Sequence, residues 1–431
     1  MPDTTITRIH GRRVWDSRGR ATVEAEVQLA CGAAGRAIAP AGASRGSREA
    51  IDLRDGGPAL GGLDVKRAVA NVNGEIAARL RGRDAAMQDA IDGELLALDG
   101  TPNKARLGGN ATIAVSMAVL RAAAAAHGEP LWRYLAQGRE VRLPLPEIQI
   151  FGGGAHAGRR VDVQDFMVMA LSAASFDEAL AMTAEVYRCA GDLMRERGLL
   201  QGVADEGGFW PAFDDNEEAL GMLVCAIERA GYRPGEQVAI SLDIAASEFG
   251  RDGRYRLALD GRELDSQEMC EMLMDWCQRY PIVSIEDPVA EDDLAGMQLV
   301  TLALGDRVQI VGDDYLVTNA ALVQQAARDK ACNAVLIKPN QAGTITETRA
   351  ALEAGMAAGF GTIVSARSGE TEDVTIVHLA TGWDAGQLKV GSFARSERMA
   401  KWNEALRVEE SLGTHARFSG RTPLPVGPRG R

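Results

Sequence analysis

V-A-I-S-L-D, Val238 to Asp243, is a short run of core-type residues that stops on a carboxylate, and the same design recurs down the second half of the chain. Val238–Leu242, Ile282–Ile285, Val308–Val311, Ala334–Ile337, Thr362–Val364 and Gln387–Val390 are apolar runs too short for helices and bounded by turn residues, so they read as buried parallel strands. Between them, Asn216–Ala230, Glu268–Arg279 and Ala320–Asp329 carry helical periodicity. Strand and helix alternate, as a closed βα barrel requires. At or near the C-terminal end of each run stands a charged residue: Asp243, Glu286, Asp313, Lys338, Arg367 and Lys389. One acid after a strand is ordinarily a loop residue or a helix cap. Three acids followed by three bases are better explained by the single mouth on which parallel barrel strands converge.

Working outward toward the N-terminus, Gln137–Pro146 holds Gly138, Pro144 and Pro146, which cannot continue a helix and mark a boundary. The expected division is residues 1–136 and 137–431. In the first part, Thr22–Leu29 alternates apolar with polar residues as a half-buried strand does, a glycine-rich segment spans Ala41–Ser47, and Asp64–Arg81 and Asn110–Ala126 are helical. The fold class read from this is α/β, an α+β cap domain followed by a modified βα barrel.

The 431 residues carry 46% hydrophobic and 25% charged side chains and a formal net charge of -13. Such a field repels nucleic acid and anionic membrane, so neither is an expected partner, although a local cationic pocket can still hold a small anion. Met1–Arg13 lacks an apolar stretch and Arg121 interrupts the alanine-rich run, so neither export nor membrane spanning is expected. Cys31, Cys189, Cys225, Cys270, Cys277 and Cys332 are scattered, and read as buried free thiols of a cytoplasmic protein. Asp243, Glu286 and Asp313 form a hard-oxygen set that suits Mg2+. Lys338 closes a buried run, where burial and a neighbouring metal ion would lower its pKa toward that of a general base.

Eight motifs in order then show a resemblance: D-S-R-G at Asp16–Gly19, G-A-S at Gly42–Ser44, D-E-G-G at Asp205–Gly208, S-L-D-I-A-A-S-E-F at Ser241–Phe249, S-I-E-D-P at Ser284–Pro288, G-D-D at Gly312–Asp314, I-K-P-N-Q at Ile337–Gln341 and R-S-G-E-T-E-D at Arg367–Asp373. From Ile9 to Gly413 the chain resembles the enolases. The resemblance implies a homodimer or higher homo-oligomer, mobile loops that close over a small anionic phospho-carboxylate, and two Mg2+ sites. The first Mg2+ would sit on Asp243, Glu286 and Asp313, and the second would join Ser44 to the substrate phosphate. Lys338 would remove the carbon-bound proton, and Glu206, paired with Asp165, would assist loss of hydroxide. His156 keeps an active-site role, Lys389 meets the carboxylate, Arg367 and Ser368 grip the phosphate, and Gln164 joins the substrate-binding groups.

Three departures touch the reacting centre. Ala366 stands where the family motif S-H-R-S-G has histidine, and loss of one positioned donor costs about 3 kcal/mol. Asp165 stands in place of glutamate and retracts its carboxylate by roughly an ångström, a displacement worth about a hundredfold in rate. Arg45, Arg159 and Arg160 add cations to the closing loops, while Ala155 removes an acid. The added arginines suit a further anionic group on the substrate. The expectation is therefore a diverged paralogue acting on 2-phosphoglycerate or phosphoenolpyruvate-type substrates, similar to the carboxyphosphonoenolpyruvate synthases of phosphonate and phosphinate antibiotic pathways. An ordinary enolase and a non-catalytic binding protein on the same fold are the alternatives.

Overall fold

The alternating segment Thr22–Leu29 forms the middle of a three-stranded antiparallel sheet made of β1 (Ile6–Trp15), β2 (Ala21–Leu29) and β3 (Ala34–Ile38). The computed structural model that shows this describes residues 2–425. The helix Gly109–Ala126 packs across β2 and β3, and its alanines allow the backbones to approach closely. A Cβ on Gly35 of β3 would lie 2.2 Å from the Ala118 carbonyl oxygen, so only glycine fits there. That helix is long and apolar enough to cross a membrane, yet 83% of it is buried inside the fold, as expected of a core helix that is apolar all round. The helical stretch expected at Asp64–Arg81 runs from Lys66 to Leu80 with a π-helical turn at Val72–Ile76, where the Asn73 amide exchanges hydrogen bonds with the backbone of Gly11 on β1.

After the helix Leu131–Ala136 the chain enters β4 (Leu145–Gly152), β5 (Asp165–Ala170) and β6 (Val238–Asp243). A small antiparallel sheet follows, β7 (Gly250–Arg251), β8 (Arg254–Leu257) and β9 (Arg262–Asp265). Then come β10 (Ile282–Glu286), β11 (Gln309–Gly312), β12 (Ala334–Ile337), β13 (Gly361–Ser365) and β14 (Gly386–Ser392). The closed barrel runs β10-β11-β12-β13-β14-β4-β5-β6. The six expected strands are present, while β4 and β5 escaped the sequence reading. Strict βα repetition also fails at the start: β4 and β5 are joined without an intervening long helix, and a direct return forces β5 antiparallel to both neighbours.

The thiols correct another expectation. All six cysteines are free, but only Cys189, Cys270 and Cys332 are buried, whereas Cys277 is half-buried and Cys31 and Cys225 are exposed. Cys31 sits in the turn after β2 and Cys225 on the outer face of the helix Glu218–Arg229, where apolar sequence neighbours point elsewhere.

Candidate active site

Strand register assembles the acids. Asp165 opens β5 opposite Asp243, the last residue of β6, and Asp243 lies opposite Glu286, the last residue of β10. Because β5 is antiparallel, the barrel mouth meets its first residue, not its last. Asp313 and Lys338 follow β11 and β12, Ala366 and Arg367 follow β13, and Lys389 on β14 faces Ser365 and Glu147. One hollow is lined by Ser44, His156, Gln164, Asp165, Glu206 and Asp243 together with Lys338, Ala366, Arg367, Ser368 and Lys389.

Two ammonium groups stand among the carboxylates. Lys389 Nζ lies 2.7 Å from Glu286 Oε2, 3.0 Å from Asp243 Oδ2 and 3.5 Å from Asp165 Oδ2, while Lys338 donates to Asp313. Burial disfavours both ammonium charges, but the facing carboxylates outweigh it and raise both pKa values. For Lys338 the upward direction comes from Asp313, whereas the expected lowering rests on a neighbouring metal ion as well as on burial. Burial and the Asp243 charge push the Glu286 carboxyl well above its ordinary range. Its Oε1 is buried without a hydrogen-bond partner, as are Asp165 Oδ2 and Gln164 Oε1. Three buried carboxylates, one with an orphaned oxygen, make a donor set that fits a hard divalent cation. Asp287, Asp313 and Asp314 also bring oxygens close together, but Asp287 already accepts the backbone N–H groups of Asp313 and Asp314.

The opposite wall is cationic. The Arg367 guanidinium makes a bidentate pair with buried Glu49 at 3.0 and 3.1 Å and donates to Asn340 Oδ1 and the Ser44 carbonyl. It passes so close to the glycine-rich segment that a Cβ on Gly42 would fall 1.9 Å from it. Glu49 thus joins Arg367 to the segment that carries Ser44, a link the sequence reading missed. Arg18, from the quoted D-S-R-G motif, donates to Ser368 Oγ at 3.1 Å and was also unassigned. Ala366 is buried in the lining and offers no donor. Arg45, Arg159 and Arg160 are not brought together with these groups: Arg45 and Arg159 are exposed, and Arg159 pairs with Glu248 at 2.8 Å.

The third wall joins an imidazole to two acids. His156 Nδ1 lies 3.0 Å from Asp165 Oδ1, and Nε2 lies 3.7 Å from Glu206 Oε1. Burial would keep the ring neutral, but Asp165 and Glu206 outweigh it and raise its pKa to about 9. Gln164 donates to Asp243 Oδ2 at 3.0 Å.

Beneath this wall lies Glu147, fully buried on β4 and unremarked in the sequence reading. Burial outweighs the attraction of Lys389 and raises its carboxyl from 4.5 to about 7. Folding therefore takes up a proton between about pH 4.5 and 7, and stability falls as pH rises through that window. Glu147→Gln is expected to leave stability at pH 4.5 nearly unchanged and to add about 3 kcal/mol at pH 8 in the metal-free chain. Urea unfolding at both pH values checks this, and equal gains at both would refute it.

A wider surface hollow lies away from the barrel mouth, beside Arg197, Glu217, Glu218 and Tyr280. Its glutamates are already ion-paired with Arg279 and Arg197, leaving little to recognise a ligand. Comparison with protein families gives two matches. The model for the enolase C-terminal TIM barrel domain covers residues 140–425, and that for the enolase N-terminal domain covers residues 6–135.

Proposed function

Because this chain belongs to the enolase family, we propose that it is a Mg2+-dependent enzyme that connects 2-phosphoglycerate-type and phosphoenolpyruvate-type compounds through an enolate, removing the proton beside the carboxylate of the former. The observation that supports this most is the mouth of the barrel, where buried Asp243, Glu286 and Asp313 face the two lysines with Arg367 and Ser368 alongside. Asp243, Glu286 and Asp313 would hold one cation, and Ser44 belongs to the second site in the same reading. A cation held there would supply positive charge against the substrate carboxylate and would offset the Asp313 charge beside Lys338. Lys338 Nζ then accepts the carbon-bound proton. Lys389 neutralises the carboxylate, Arg367 and Ser368 orient the phosphate, and Glu206 delivers a proton to the departing oxygen. The arrangement meets charge where it develops, which a weak carbon acid needs.

Within this chemistry, the finer reading is a diverged paralogue of the carboxyphosphonoenolpyruvate synthase kind. Ala366 and Asp165 support it, since both alter the phosphate and leaving-group ends while the metal acids and Lys338 are kept. Ordinary dehydration of 2-phosphoglycerate is the second reading, and the intact set of Lys338, Lys389 and Glu206 favours it. An assay with Mg2+ and 2-phosphoglycerate, following the absorbance of phosphoenolpyruvate, separates them. A kcat within about tenfold of the ordinary 1–10³ s⁻¹ range selects the ordinary reaction. Substrate binding without turnover removes the ordinary reaction, and turnover of a substrate with an additional carboxylate then separates the paralogue from a non-catalytic binding protein.

The paralogue reading carries its own test at the loop arginines. Neutralising Arg45, Arg159 and Arg160 together is expected to raise KM about tenfold for a substrate with an additional carboxylate and to leave KM for 2-phosphoglycerate unchanged. An unchanged KM for the carboxylated substrate would remove the added-charge argument. A homodimer or larger homo-oligomer belongs to the same reading, and sedimentation as a monomer at micromolar concentration would exclude it.

A further inference from the structure

The Asp165–His156–Glu206 wall holds more order than the binding of one phosphate requires. Asp165 Oδ1 accepts the Gln149 side-chain N–H as well as facing His156 Nδ1, and Gln149 Oε1 accepts the Gly208 backbone N–H at 2.8 Å. A Cβ on Gly208 would lie 2.5 Å from that amide oxygen, so the Glu206–Gly208 turn can come this near only because residue 208 is glycine. On the other side, the Asp205 backbone N–H donates to the His156 carbonyl at 3.1 Å. One glutamine and one backbone bond therefore tie the turn carrying Glu206 to the strand carrying Asp165 and the segment carrying His156. All three side chains are buried.

We propose that these residues form a proton relay in which Gln149 and Asp165 fix the imidazole by its Nδ1 face, so that His156 Nε2–H returns a proton to Glu206 at the leaving-group end of the site. The relay rests on the enolate reading given above. Asp165 then no longer stands beside Glu206 as a second acid, the role implied by the resemblance; its shorter side chain serves as a positioning residue for the imidazole. A carboxylate on Nδ1 selects the imidazole orientation and stabilises the imidazolium.

The step balances. Lys338 takes the carbon-bound proton, the freed electron pair forms the carbon–carbon double bond, and the adjacent carbon–oxygen bond breaks with its pair on oxygen. Glu206 protonates that oxygen, which leaves as water, and His156 Nε2–H reprotonates Glu206. Solvent restores the proton on His156, and Lys338 returns its own to solvent. The charged groups near the ring are Asp165 from β5 and Glu206 from its turn, with Asp243 of β6 contributing at longer range and Lys389 of β14 set 3.5 Å from Asp165. The 3.7 Å separation of Nε2 and Glu206 is an ion-pair distance of the kind that tightens when substrate binds.

Two measurements on the full chain test the relay. Nitrogen-15 NMR of labelled histidine in the metal-free protein, assigned through His156→Gln, is expected to show an imidazolium at pH 7.5. Its pKa should fall by about 1–3 units in Asp165→Asn and be restored in Asp165→Glu. A neutral ring in the parent, or a pKa indifferent to Asp165→Asn, overturns the relay. With Mg2+ and 2-phosphoglycerate, His156→Gln is expected to slow elimination about 10²-fold or more while exchange of the carbon-bound proton with deuterated solvent stays within about threefold. Loss of both together means a purely structural histidine and also overturns it. A parent protein that neither exchanges nor eliminates this substrate sinks the substrate reading, and the histidine titration then decides the relay alone.

Discussion

Lys338→Ala is expected to lower kcat by about 10³- to 10⁴-fold and to abolish exchange of the substrate's carbon-bound proton, because Lys338 directly follows β12 and lines the hollow. The alanine variant has a complication that the structure makes explicit. Lys338 is buried against Asp313, and removing one partner of such a pair typically costs about 3–5 kcal/mol. Lys338→Arg keeps the cation beside Asp313 but, with a guanidinium that stays protonated, cannot act as a base. It should therefore be as inactive as Lys338→Ala while unfolding nearer to the parent. Single-turnover proton exchange, read beside urea unfolding, separates the two effects. Appreciable exchange in the stable arginine variant would remove Lys338 from the role of base.

Metal dependence should be the second large effect. Mg2+ at a hundred times its dissociation constant is expected to add about 2.7 kcal/mol to unfolding, since it binds the folded chain and not the unfolded one. Glu286→Gln should reduce that gain sharply and weaken Mg2+ by more than about a hundredfold, because even outer partners of metal ligands are worth 10- to 100-fold. The same variant removes the acid that burial and Asp243 push up in pKa, so without metal it should be at least as stable as the parent near neutral pH. Metal-free stability that is unchanged or raised, together with a lost Mg2+ response, identifies Glu286 as a ligand. Calorimetric titration and thermal unfolding with and without chelator read both halves. A full Mg2+ response in Glu286→Gln would exclude it.

Asp243, Glu286 and Lys338 were legible because each ends a parallel apolar run, and strands of that kind deliver their last residues to one mouth. Asp165 obeys the same geometry in reverse, at the start of an antiparallel strand. The rule that found the others could not find it, and only the resemblance named it. Glu147 and Gln149 lie within β4, which the pattern of short apolar runs did not register because acid and amide interrupt it. Glu49 reads locally as one more loop acid, and its pairing with Arg367 spans 318 residues.

The sequence by itself determined the barrel, the order of its charged strand ends and the hard-oxygen character of Asp243, Glu286 and Asp313. These follow from periodicity and residue type, which are local properties. The tertiary structure alone decided that β5 runs backwards, that Glu49 links Arg367 to the loop carrying Ser44, that Arg45 and Arg159 are exposed, and that Asp313 raises the Lys338 pKa when no metal is bound. The direction of β5 depends on how its connection returns, and the charge pairs depend on which groups face one another across the barrel: an electrostatic balance between burial and a partner has no sign until the distance to that partner is known.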